Sequence, residues 1–102
     1  MSNLNVVGVD LAKNIIKVSV VTPAGKELQY KALTRKKFSE FLARQKPSLV
    51  AFVACGMAHY WSRIAQQHGH AAKIIPAKAV TPFRQGHKTD SNDALAVAEA
   101  AR

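Results

Sequence analysis

Leu49-Val50-Ala51-Phe52-Val53 is apolar at every position, and this run constrains the fold more than any other feature of the chain. A strand with one wet face alternates in polarity, whereas a strand apolar on both sides needs a layer above it and another below. A helical pattern precedes the run: Thr34 is a suitable N-cap, Phe38, Phe41 and Leu42 follow at i, i+3 and i+4, and Pro47 closes the segment. A strand entered through a helical crossover lies parallel to an earlier strand. That earlier strand is Asn5 to Val9, a short β-branched run that stops abruptly at Asp10.

Between these two strands the pattern changes. Ile16, Val18 and Val20 alternate with Lys17 and Ser19, which predicts a second strand with one buried and one wet face. Thr22-Pro23-Ala24-Gly25 suits a type I turn, and Leu28, Tyr30 and Ala32 alternate in a third strand. Beyond Val53, a helix over Ala58 to His68 aligns Trp61, Ile64, Ala65 and His68 and stops at Gly69. Ala71 to Ile75 reads as a fifth strand ending at Pro76. Ala77 to Thr89 is basic and loop-like, and Ala94-Leu95-Ala96-Val97-Ala98 belongs to a helix that begins at Asp90. The expectation is an α/β fold: a mixed five-stranded sheet, an antiparallel meander followed by β-α-β units, with helices on the faces. Neither a repeat nor a linker divides residues 1–102, so one domain is expected. The sequence reaches Arg102 in helical pattern with no capping Gly or Pro, as a piece of a longer protein would.

Fifteen Lys and Arg against six Asp and Glu leave a net charge of +9, which favours polyanionic partners such as nucleic acid. No stretch approaches the roughly 20 apolar residues of a membrane helix. The start lacks the pattern of a secretory signal, and Cys55 has no second cysteine to pair with, so a cytoplasmic location without membrane contact is expected.

Asp90 and Asp93 are spaced i, i+3, which puts their Cβ atoms about 5–6 Å apart on one helix face. Two such carboxylates, with Asp10 held by a rigid strand, could share a divalent cation. Phosphodiester cleavage uses this kind of arrangement, with two metals about 3.5–4 Å apart activating the attacking oxygen and stabilising the leaving one. Mg²⁺ suits an oxygen-only set. Helix capping is the better account of Asp90 and Asp93 on spacing alone, and Asp10 could as readily start a turn. Cys55 near His59 lacks a third, orienting group for thiol catalysis. His59, His68, His70 and His87 have no zinc spacing with a single cysteine. Trp61, in helical register with Ile64, reads as core.

Three segments taken together are more specific: Gly8-Val9-Asp10-Leu11-Ala12-Lys13, Ala54-Cys55-Gly56-Met57-Ala58-His59-Tyr60-Trp61 and Lys88-Thr89-Asp90-Ser91-Asn92-Asp93-Ala94. Their order and spacing resemble the DEDD transposases of the insertion sequence 110 family, over essentially the whole chain. The resemblance implies a RuvC-like, RNase H-type N-terminal catalytic domain in which four acids bind Mg²⁺ or Mn²⁺ for DNA cleavage and strand transfer. By position Asp10 would be the first acid, Asp90 the third and Asp93 the fourth. The second should be a glutamate, and Val53 stands there. Three carboxylates would face two cations of total charge +4, and neither Glu27, Glu40 nor Glu99 falls where it could substitute. Weakened metal binding and crippled catalysis are therefore expected.

The resemblance further implies DNA as substrate, a structured guide RNA, a homo-oligomer and a serine-bearing C-terminal domain that this sequence lacks. Lys13, Arg84, His87 and Lys88 would hold phosphates beside the acids, and Arg35, Lys36 and Lys37 open a helix where cations oppose its dipole. Two other classes compete. A non-catalytic nucleic-acid-binding or oligomerising module accommodates Val53. An actin-like ATPase also opens with Gly-x-Asp after a first strand, but Ala12-Lys13 replaces the small residues that approach phosphates there, and no second glycine-rich loop follows.

Overall fold

Strand β1 (Val6–Leu11) runs down the middle of a five-stranded sheet ordered β3-β2-β1-β4-β5. The computed structural model describes residues 4–12, 14–83 and 90–102, with the side chains of 90–92 left aside. β1 pairs antiparallel with β2 (Ile16–Val21), which pairs antiparallel with β3 (Glu27–Leu33). On its other side β1 pairs parallel with β4 (Leu49–Val53), and β4 with β5 (Ala71–Ile75). The predicted meander and crossovers are both present, in an α/β fold compatible with the RNase H-like class. Gly25 takes φ +100° in the β2–β3 turn, where its amide donates to the Thr22 carbonyl oxygen at 2.9 Å.

Helix α1 (Arg35–Arg44) starts where Thr34 Oγ1 accepts from the Lys37 amide at 3.2 Å. Its Phe38 and Leu42 are fully buried, each such side chain stabilising the fold by about 1.5–3 kcal/mol. Helix α2 (Ala58–Gln67) adds Trp61 and Ala65 to the same layer, and Gly69 at φ +89° turns the chain out. Phe38 meets Trp61 at 4.9 Å and Phe52 at 6.5 Å between ring centroids, both edge-on. With Val7, Val9, Val18 and Val50 these residues form the core on one face of the sheet.

His68 does not join that core as its spacing predicts. The helix ends at Gln67, so His68 is an exposed C-cap residue, and the buried imidazole is His70. His70 Nδ1 accepts from the Ser48 amide at 3.1 Å, while its Nε2 lies 2.7 Å from the Leu42 carbonyl oxygen. One neutral ring thus ties the end of α1 to the entries of β4 and β5.

The other face carries helix α4 (Asp90–Ala101), preceded in the chain by helix α3 (Ala77–Val80) and a 3₁₀ turn at Thr81–Phe83. Residues 77–83 are therefore helical rather than loop-like, since Pro76 sets an extended N-cap from which a short turn can start. The basic residues Arg84, His87 and Lys88, like Lys13, lie outside the described residues. Ala96, Val97, Ala98 and Ala101 pack with Val6, Val21, Ala51, Ile75 and Val80 into a second core. For this reason β2 does not keep a wet face: Ser19 and Val21 are as buried as Val18 and Val20. β3 lies beyond the reach of α4 and is exposed along nearly its whole length, with Leu28 50% and Tyr30 37% accessible. Among the described residues no helix is long and apolar enough to cross a membrane.

α4 can settle on the sheet because a row of small residues, Ser19, Gly8 and Ala51, crosses β2, β1 and β4 beneath it. A Cβ on Gly8 would collide with the Ala94 carbonyl oxygen and the Ala98 nitrogen. Both atoms belong to the helix backbone, so they cannot swing aside as a side chain would. Gly8→Ala should therefore lose about 2–3 kcal/mol, at the upper end of overpacking costs, in urea denaturation. His70→Ala, which strands a buried amide and carbonyl, should lose about 2–4 kcal/mol by the same measurement.

Candidate functional site

Residue alternation along β1 places Val6, Gly8 and Asp10 on the α4 face and Val7, Val9 and Leu11 on the α1–α2 face, in agreement with the two cores. Asp10 is half-buried. It is not the last strand residue, as its position in the sequence suggests, because β1 pairs on through Leu11 with Ile16. The parallel pairing with β4 stops earlier, at Val9 with Phe52. Asp10 therefore stands where the sheet opens between β1 and β4.

The direction of α4 follows from its two ends. Arg102, just past its C-terminus, donates to the Pro23 carbonyl oxygen and to Glu99 Oε1, each at 3.3 Å, and its guanidinium lies against Gly25. That turn follows Val21, the partner of Val6, so the helix C-terminus overlies the start of β1. The N-terminal end of α4 accordingly points toward Asp10.

The contact at Gly8 falls between Ala94 and Ala98. At 1.5 Å per helical residue, Asp93 lies about 4–5 Å from the middle of that contact and position 90 about 9 Å. Asp10 lies two strand residues, about 6.6 Å, from Gly8 in the same direction. Along the axis, Asp10 is thus level with the interval between positions 90 and 93. Helical periodicity puts Asp93 on the row of Val97 and Ala101, a row turned to the sheet. Asp93 is half-buried. Among the described residues no three His, Cys, Asp or Glu side chains gather into a metal centre; the Asp90 side chain is outside them.

Two neighbours complete the surroundings of Asp10. Val53 follows Phe52 in β4, and alternation puts it beside Asp10 on the α4 face, where it packs against the second core with Leu49 and Leu95. Lys17 is the cross-strand partner of Asp10 in β2, which brings the two Cβ atoms within about 4.5–5.5 Å on one face. Nothing local in the sequence marks Lys17, which reads there as the wet position of an alternating strand. The signal available is the antiparallel register, which pairs residues equidistant from the intervening connection.

Cys55 and Arg35 belong to the other face. With Leu11, Ile16, Met57 and Trp61 they line a cavity of about 350 Å³ at the same end of the sheet. Cys55 is exposed and forms no disulfide. Trp61 is only 4% accessible, as core packing requires.

The donors fit a hard divalent cation in kind, since Asp10 and Asp93 offer carboxylate oxygen at the same end of the sheet. They fit a pair of cations poorly, because Val53 supplies no donor and Lys17 brings a positive charge.

A family model described as a transposase, of the DEDD type of insertion sequence 110, matches residues 7–102. The chain is 38% identical over 97% of its length to a protein of Pseudomonas aeruginosa named "Probable family 20 transposase". It is 36% identical over 98% to the transposase for insertion sequence element IS1328 of Yersinia enterocolitica, and 32% identical over 99% to that for IS1111A of Coxiella burnetii. The chain spans 29%, 30% and 28% of the lengths of these three relatives.

Placing a carboxylate at position 53 would set it beside Ile75, against the apolar second core. Without divalent metal, Val53→Glu should therefore destabilise the fold by about 1–3 kcal/mol, read as a lowered melting temperature in the presence of a chelator.

Proposed function

The chain belongs to the DEDD transposases of the insertion sequence 110 family, and from that premise we propose that it is their RuvC-like N-terminal part, with a divalent-metal site for DNA cleavage and strand transfer that Val53 leaves incomplete. The observation that carries the reading is the contact of α4 with Gly8, which turns the N-terminal end of the helix, and with it Asp93, toward Asp10. Asp10, Asp93 and Asp90 would hold the cation, Mg²⁺ or Mn²⁺, which would supply activation of the attacking oxygen and charge stabilisation at the leaving one. The chain's own contribution is rigidity: Asp10 is fixed by a paired strand, and Asp93 by a helix that cannot slide without meeting the sheet at Gly8. Lys13, Arg84, His87 and Lys88 are proposed to hold DNA phosphates around the acids, as their closeness to these acids in sequence suggests.

Three carboxylates with Lys17 beside them amount to a formal charge of −2, which matches one divalent cation and not two. The site is therefore proposed to bind metal weakly and to cleave poorly. Calorimetric titration with Mg²⁺ and Mn²⁺ tests this. Val53→Glu should bind about tenfold or more tighter than the unsubstituted chain, and Asp10→Asn should abolish the heat. Equal affinity in the first two proteins would sink the reading.

The pairing of Val53 and Lys17 around Asp10 also favours a second reading, a module that binds nucleic acid without cutting it. Such a module would show salt-dependent affinity for nucleic acid that Asp10→Ala leaves unchanged.

A further inference from the structure

On the face of the sheet opposite Asp10, a cavity of about 270 Å³ opens between α1 and the edge strand β3. Lys31 borders it from β3, Lys37 and Arg44 border it from α1, and the half-buried ring of Phe41 forms its floor. Lys31 Nζ sits 5.8 Å from the centroid of that ring, which holds the ammonium over the groove rather than out in solvent. Among the described residues Glu40 is the single acid in the lining, against three cations, and the amides of Gln29 and Gln45 add neutral donors. Lys37 and Arg44 are seven helical residues apart, about 10 Å along the axis, far enough to meet different phosphates of one strand.

Two features of the chain make this more than a solvated basic surface. The first turn of α1 contains no acid and three consecutive cations, Arg35, Lys36 and Lys37, which its dipole disfavours. In addition, among the described residues β3 has β2 as its only sheet neighbour, so its outer edge presents backbone amides beside the groove.

We propose that the groove between α1 and β3 is a second polyanion site, which holds the phosphodiester backbone of nucleic acid on the face of the sheet opposite Asp10. Lys31, Lys37 and Arg44 contact successive phosphates, and the outer edge of β3 supplies further donors. The site needs no metal at Asp10, so it stands or falls separately from the cleavage reading.

Fluorescence anisotropy of the 102-residue chain with labelled single-stranded RNA, single-stranded DNA and duplex DNA tests this. The triple variant Lys31→Gln, Lys37→Gln, Arg44→Gln should weaken binding at least about tenfold at 0.1 M salt. Its dependence of log affinity on log salt should become shallower by about 2 on single strands, at about 0.7 for each phosphate no longer neutralised. Asp10→Ala should change neither quantity. The control triple Arg63→Gln, Lys73→Gln, Lys78→Gln removes the same charge from exposed positions elsewhere on the molecule and should weaken binding much less. The three nucleic acids identify the backbone that the groove prefers. An equal loss in the control overturns the proposal, and so does competition by polyglutamate as effective as competition by unlabelled nucleic acid. Should the triple variant unfold, Lys37→Gln alone carries the same comparison against Lys78→Gln, with a smaller loss expected at position 37 only.

Discussion

The backbone of α4 rests on a strand residue with no side chain, and the packing of the whole α4 face of the sheet depends on that contact. At Gly8 the helix approaches until a single added carbon would meet two of its backbone atoms. Such closeness lets an alanine-rich helix, which has little side-chain reach, bury Ala94, Ala96, Val97 and Ala98 against Val6, Val21 and Ala51. Larger residues on either surface would hold the layers apart and leave voids that alanine cannot fill. The Arg102 contacts at the β2–β3 turn then fix the helix lengthwise, so that its opposite end is presented at the edge of the sheet where Asp10 stands.

That edge is asymmetric in charge. On the β4 side of Asp10 the sheet presents Val53, continuous with the apolar packing of Leu95 and Ile75; on the β2 side it presents Lys17. A carboxylate placed between an aliphatic and an ammonium side chain is in different surroundings from one among other carboxylates. Repulsion is weaker there, and with it the electrostatic demand for divalent cations. The valine also joins the apolar packing of the second core. The cations between α1 and β3 lie on the opposite side of the same sheet, away from this edge, and their attraction for polyanions is independent of it.

Most of the architecture was legible in the sequence because it rests on local rules. The apolar run Leu49–Val53, the Thr34 cap with Phe38 and Leu42, and the Gly69 stop each state a period or a terminus within a few residues, and the structure agrees with each of them. The local rules misled at several places, among them the strand end at Asp10, which the structure moves to Leu11. Lys17 and Ser19 read as the wet face of β2, but α4 covers that face and buries Ser19 and Val21. His68 fitted a helical stripe that ended one residue earlier, leaving the buried imidazole to His70. Residues 77–83 fell within a segment that read as a basic loop, yet four residues suffice for the turn of α3. The candidate acids were legible only as residues, through three segments that resemble the family whose model matches residues 7–102. Its surroundings were not, since Lys17 is seven residues from Asp10 and becomes its neighbour only through antiparallel pairing.

By itself, the sequence determined the strands, two of the helix termini, the family and the identity of the candidate acids, all of which depend on residue type and short spacing. Tertiary structure alone decided that Gly8 is the seat of a helix from the far end of the chain, that Asp10 has Lys17 and Val53 as its flanks, and that β3 keeps an open, basic groove. The physical reason is common to all three. Close packing and strand register join residues that no periodicity links, and a side chain's charge or volume acquires its consequence from what the fold sets beside it.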